Sequence, residues 1–205
     1  MYRVVHASAR LAPLATTQDG ASARERLLAA AIEHVSQHGV GEISLRGLAA
    51  ELGTSHRMLI YHFGSREALL IEVIRTVEEQ QRAALAETLK DSDAPPAEIM
   101  RRMWARVADP ALWPNERLFF EVYAQALQGS PHALPVLDGI VEAWVEPLAA
   151  LVAPGRPRAE ARAEARLGVA VVRGLLLDLL ATRDREAVDA AMERYISAIA
   201  PASRG

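Results

Sequence analysis

Residues 44–63 read SLRGLAAELGTSHRMLIYHF. Leu45, Leu48, Ala49 and Leu52 recur at helical spacing, which predicts a short amphipathic helix over Ser44–Leu52 with Ser44 as its N-cap. Gly53 follows at once, a residue that tolerates a left-handed stop, and Thr54-Ser55 offers a fresh cap. A second short helix, His56–Phe63, would then place Leu59 and Phe63 on one face and His56, Arg57, Ile60 and Tyr61 on the other. Two short helices about a glycine turn, the second rich in hydrogen-bond donors, is the pattern of a helix-turn-helix that reads DNA. Helix–glycine–helix corners also occur in unrelated helical proteins, so the flanks have to decide.

Upstream, Ser22 opens a helix with Leu28, Ala31, Ile32 and Val35 as its stripe, and Gly39 stands where a terminating glycine belongs. His34 and His38 are four apart, as in a metal clamp, but no third ligand stands near them in the sequence; they are expected at the solvent edge, and no metal site is expected. Downstream, Ser65 caps a helix with Glu67 in its first turn and Leu69, Leu70, Val73, Ile74 and Val77 along one side. That helix runs to about Lys90, where DSDAPP breaks it. A helix over Ala97–Ala108, a DPALWPN loop and a helix capped by Asn115 follow. Gly129-Ser130-Pro131 predicts a stop, a cap and a first-turn proline for a helix from about His132 to Ala153, bent near Gly139 and Pro147. Arg158–Thr182 and a helix capped by Asp184 complete the chain. No strand pattern and no internal repeat appears, so the expectation is an all-α protein of nine or so helices.

Composition narrows the function classes. The chain has 205 residues, enough for a sizeable core, and no cysteine, which removes disulfides, thiolate metal sites and cysteine nucleophiles. No run of eighteen apolar residues suggests a membrane span, and the N-terminus has no continuous apolar segment, so a cytoplasmic protein without a membrane partner is expected. Residues 1–66 carry a net charge of +2 and residues 67–205 one of −5; five of the six histidines fall in the first part. A mildly basic head on an acidic body suits one face meeting a polyanion. The histidines cluster in the head, and no Ser/His/Asp set or metal spacing emerges, so neither an enzyme nor a cofactor is expected.

From Ala23 to Val77 the sequence resembles the TetR family of transcriptional regulators, on a first helix ending in HGV followed by SLRGLAAELGTS, LIYHF and GSREALL. The resemblance implies a flexible arm over 1–21, a three-helix DNA-binding domain over 22–66 and a ligand-binding and dimerisation domain over 67–205. It implies that Ser44, Arg46 and Ser55 face DNA, that His56, Arg57 and Met58 form the base-reading start of the second motif helix, and that Tyr61, His62 and Arg66 lie near phosphate. Ile60 stands where the family usually has a phosphate-contacting tyrosine, which leaves Tyr61 to carry that role, and Arg57 and Met58 replace small residues or proline. Arg57 has the chemistry for a bidentate contact to guanine, and Met58 or Ile60 for a thymine methyl. Each is otherwise an exposed residue on a solvated helix, and His62 serves equally well as a hydrogen-bonding part of the fold.

For the body, Met100, Met103, Trp104, Phe119, Tyr123 and Trp144 are the candidates for an apolar pocket taking a small apolar ligand, the alternative being ordinary core. The last two helices are apolar over more than one face, which predicts burial against a second subunit through Val172, Leu175, Leu176, Leu179, Met192, Tyr195 and Ile199. The function expected is a ligand-responsive homodimeric repressor on a palindromic operator. The competing reading is a helical interaction protein that keeps the fold without specific DNA binding.

Overall fold

The computed structural model describes residues 22–38, 44–90, 94–152 and 155–199; the expectations for the 1–21 arm and for Gly39 lie outside them. Among the described residues there are nine α-helices and no strand: α1 (Ala23–His38), α2 (Leu45–Glu51), α3 (His56–Phe63), α4 (Arg66–Lys90), α5 (Pro96–Val107), α6 (Trp113–Leu127), α7 (Glu142–Val152), α8 (Arg158–Thr182) and α9 (Arg185–Ile199). Short 3-10 turns at Pro110–Leu112 and Leu134–Leu137 precede α6 and α7.

Serine caps set the starts of the first four helices. Ser22 Oγ accepts from the Glu25 N–H at 3.2 Å while Glu25 Oε2 accepts from the Ser22 N–H at 2.6 Å, a reciprocal capping box. Ser44, Ser55 and Ser65 accept from the amides of Gly47, Met58 and Ala68 at 3.1–3.2 Å. Each such cap satisfies an amide that a helix start leaves without an intrahelical acceptor, worth about 1 kcal/mol. Gly53 turns the chain between α2 and α3 at φ +64°, a conformation that costs a side chain-bearing residue strain.

These helices bury a common face. Ala31 and Val35 of α1, Leu45 and Leu48 of α2, and Leu59 and Phe63 of α3 meet Leu69, Leu70, Val73, Ile74 and Val77 of α4. The same core continues without a gap into Leu118, Phe119 and Val122 of α6. Arg24 adds a polar tie: it pairs with Glu72, donates to the His62 carbonyl at 3.4 Å and lies 5.1 Å over the Phe63 ring. A second cluster joins Leu85, Ile99, Val145, Leu148 and Val169 across α4, α5, α7 and α8. A third joins Trp104 of α5 to Leu176 and Leu179 of α8 and Val188, Met192 and Ile196 of α9.

Three expectations change. α6 begins at Trp113, two residues before Asn115; Asn115 is buried and donates to Ser36 Oγ of α1 at 3.0 Å, a tertiary tie and not a cap. The helix expected from His132 to Ala153 is broken: Leu134–Leu137 form a 3-10 turn, Gly139 takes φ +68°, and the α-helix starts only at Glu142. His34 is buried, its Nδ1 2.8 Å from Glu51 Oε2, because the α1–α2 corner folds that carboxylate onto it.

Leu59 has no exposed surface and sits where α3 meets α1 and α4. Leu59→Ala should lower unfolding free energy by about 2–5 kcal/mol, read from the shift of a urea midpoint at constant slope.

Candidate functional site

α3 presents one face to the core and one to solvent. Leu59 and Phe63 are buried, whereas Ser55, His56 and Arg57 are exposed, as are Met58, Ile60 and Tyr61 at 39%, 40% and 78% of their full surface. Three large apolar side chains on an exposed helix face are out of keeping with a purely solvated surface. Ser44 and Arg46 at the start of α2 are exposed near the same motif, although Ser44 Oγ is already engaged as a cap, as is Ser55 Oγ. His62 departs from this pattern. Its Nε2 is buried without a hydrogen-bond partner and its ring packs edge-on to Tyr61 at 5.0 Å, so the imidazole is part of the head's interior. Arg66 is half-buried at the start of α4.

A cavity of about 60 Å³ lies where α4, α5, α6, α7 and α8 converge. Met100, Met103, Phe119 and Trp144, four of the six pocket candidates, line it. Trp104 does not: it is 5% exposed in the third cluster, with Nε1 donating to Asp189 Oδ1 of α9 at 2.6 Å. Tyr123 stacks behind Phe119 at 5.4 Å and is set back from the cavity. A larger space of about 220 Å³ adjoins the first between α5, α7, α8 and α9, and Met100, Met103, Leu148 and Gly168 border both.

The polar groups of this cavity escaped sequence reasoning. Gln81 Nε2 donates to Glu116 Oε1 at 2.9 Å, and Trp144 Nε1 donates to Glu78 Oε2 at 2.6 Å. Arg173 of α8 lies 5.2 Å over Phe119 and 5.6 Å over Tyr123 and donates to the Ile140 carbonyl. Burial pushes both carboxyls up, Glu116 to about 7; the Gln81 hydrogen bond opposes this for Glu116, and the nearby Glu78 charge adds to it. Glu78 lies four residues after Ile74 and Gln81 four after Val77, and that shared register with the apolar stripe of α4 was the signal available. Nothing local in the sequence says that this turn of α4 faces an apolar cavity.

The residues expected to cover a subunit interface divide. Leu176, Leu179 and Met192 are at most 4% exposed inside the chain's own third cluster and have no surface to offer a partner. Val172 lines the first cavity, and Tyr195 and Ile199 line the second. Leu175 is half-buried against the third cluster. The large exposed apolar residues of α8 are instead Leu167 and Leu177, at 54% and 50%, on the stripe shared with Ala170 and Gly174.

Residues 27–73 match the family model of bacterial regulatory proteins, tetR family. The chain is 39% identical over 72 residues to the HTH-type transcriptional regulatory protein RaaS of Mycobacterium tuberculosis, a match covering 35% of this chain and 34% of that protein. It is 28% identical over 130 residues to the HTH-type transcriptional regulator RutR of Escherichia coli K12, covering 63% and 60%. These matches thus span about a third and three fifths of the curated relatives' lengths. A solved transcriptional regulator from Rhodococcus sp. Rha1 superposes with a TM-score of 0.71 at 23% identity, over 87% of this chain and 96% of that one, and shares its fold.

Glu116 yields a stability test. In the folded chain it holds its proton to about pH 7, while unfolded it ionises near 4.5, so the fold binds the extra proton between those values. Stability contributed by this group is therefore full below about pH 4.5 and is lost as pH rises to about 7. Glu116→Gln removes that loss: urea midpoints of variant and wild type should converge near pH 4.5, and at pH 8 the variant should be more stable by on the order of 1–3 kcal/mol.

Proposed function

We propose that this chain, a TetR-family helix-turn-helix regulator, is a homodimeric repressor that binds a palindromic DNA operator and releases it when a small apolar molecule enters the body. A protein of this kind meets chromosomal DNA in the cytoplasm. The observation that carries the reading is α4: one helix starts at Arg66 beside the exposed face of α3 and brings Glu78 and Gln81 to the cavity wall. Those twelve residues span about 18 Å. A ligand that displaces the wall therefore acts on the mount of the reading helix.

In this reading Arg57 and His56 meet base edges, Met58 and Ile60 meet thymine methyls, and Tyr61, Arg66 and Arg46 fix the register on phosphates. Ser44 and Ser55 contribute mainly through the helix starts they cap, whose amides also suit phosphate. The residues 22–66 act as the reading domain and 67–205 as the sensing and pairing domain. Met100 and Met103 stand between the two cavities, each smaller than the roughly 300–1,000 Å³ usual for a drug-sized ligand. Flexible methionine side chains are the natural partition to swing aside and join the two spaces. The differential affinity of the ligand for two dimer geometries sets its effect on DNA binding, typically 1–3 kcal/mol, and operator DNA weakens ligand binding by the same factor.

In this reading the second copy packs on the exposed stripe of α8, with Leu167 and Leu177 as its apolar anchors and Ala170 and Gly174 allowing close approach. A two-fold dimer sets the two α3 helices one or more DNA turns apart, about 34–36 Å per turn.

Two experiments test this. With operator fragments selected from random DNA, Arg57→Ala should cost about 1–3 kcal/mol and relax preference at one position of each half-site. Arg66→Ala should instead weaken all sequences alike and flatten the salt dependence by about one phosphate per subunit. Equal losses on operator and random DNA for Arg57→Ala would move that residue to the backbone contacts. Leu177→Arg should convert the dimer to a monomer in light scattering and abolish two-fold operator binding with helicity intact; a dimer that survives it is built on another face.

A further inference from the structure

We infer that His34, His38 and Glu51 form a binding site for a divalent transition cation of the zinc class, at the corner where α1 meets α2. The two imidazoles lie one helical turn apart at the end of α1, their rings stacked at 4.6 Å. The carboxylate comes from the last residue of α2, so the third ligand is supplied by the fold. One nitrogen or oxygen of each residue lies within 4.8 Å of the others.

The hydrogen bonding around the site suits ligation. His38 Nδ1 lies 3.2 Å from the His34 carbonyl, and donation to it leaves the His38 Nε2 lone pair for a metal. A ligating histidine usually gives its second N–H to such an acceptor, which fixes both tautomer and ring direction. His34 Nδ1 faces Glu51 Oε2 at 2.8 Å and is buried, so it is the fixed ligand. His38 and Glu51 are exposed and can adjust. Tetrahedral zinc bonds of about 2.0–2.1 Å place neighbouring ligand atoms about 3.3 Å apart. Glu51 therefore has to back off slightly and His38 has to swing inward, both through side-chain rotation. Imidazole with one carboxylate, and no thiolate anywhere in the chain, favours zinc, nickel or copper(II) over calcium or magnesium. A fourth position stays open to water. The bound ion would clamp α1 to the first motif helix.

An ordinary His34–Glu51 ion pair would need no His38, and this separates the two readings. The probe is Zn²⁺, or Co²⁺ for its visible d–d bands, titrated into the untagged full chain after chelator treatment. One equivalent per chain is expected, with a rise in the unfolding midpoint. His38→Ala and Glu51→Gln change exposed side chains, so folding is retained and is checked by circular dichroism; each should weaken binding by about tenfold or more. Binding unchanged in either variant, or no saturable binding up to about 1 mM, overturns the site.

Discussion

Helix α4 has to bury two different neighbourhoods with one continuous backbone, and the rest of the molecule follows from that constraint. Its first half gives Leu69, Leu70, Val73, Ile74 and Val77 to the core that holds α1, α2 and α3 together. Two turns on, Leu85 belongs to the cluster shared with α5, α7 and α8. No proline or glycine interrupts it between Arg66 and Lys90, so a movement at one end has no hinge in which to dissipate. Because α6 joins the same core as the head, the head is seated on the body by packing as well as by the connection.

Between those two neighbourhoods lies the polar turn of α4. Glu78 and Gln81, with Glu116 and Arg173, line a space whose other walls are methionine, phenylalanine, tryptophan, glycine and aliphatic residues. Carboxyl groups there are costly to ionise, and each is held by a specific donor, Trp144 for Glu78 and Gln81 for Glu116. The guanidinium of Arg173, stacked on Phe119 and Tyr123, supplies the compensating charge. A buried polar set of this kind favours one arrangement of its helices over near alternatives, since a slip of α4 by one residue would strand several groups without partners.

The helix-turn-helix was legible because its signals are local. Serine caps, the glycine at Gly53 and the alternation of buried Leu59 and Phe63 with exposed Arg57 and Tyr61 depend on residues within a few positions of each other. Helices α8 and α9 were legible for the same reason, through their dense apolar content and the Asp184 cap, whose Oδ1 accepts from the Ala187 amide at 3.0 Å. The helix expected from His132 failed because stop and cap signals fix where a helix ends without fixing whether the next segment becomes an α-helix or a 3-10 turn.

Composition and spacing thus determined the all-α class, the reading motif and most helix boundaries. Tertiary structure alone decided which aromatic residues border empty space and which are core: Trp104 and Trp144 are alike in sequence, yet one is bound to Asp189 of α9 and the other to Glu78 at the cavity. It also decided that Leu176, Leu179 and Met192 are interior, and that Glu51 meets His34. Helical periodicity specifies which side chains share a face, but the partner of that face is set by how helices far apart in the chain cross, and that depends on the packing of the whole core at once.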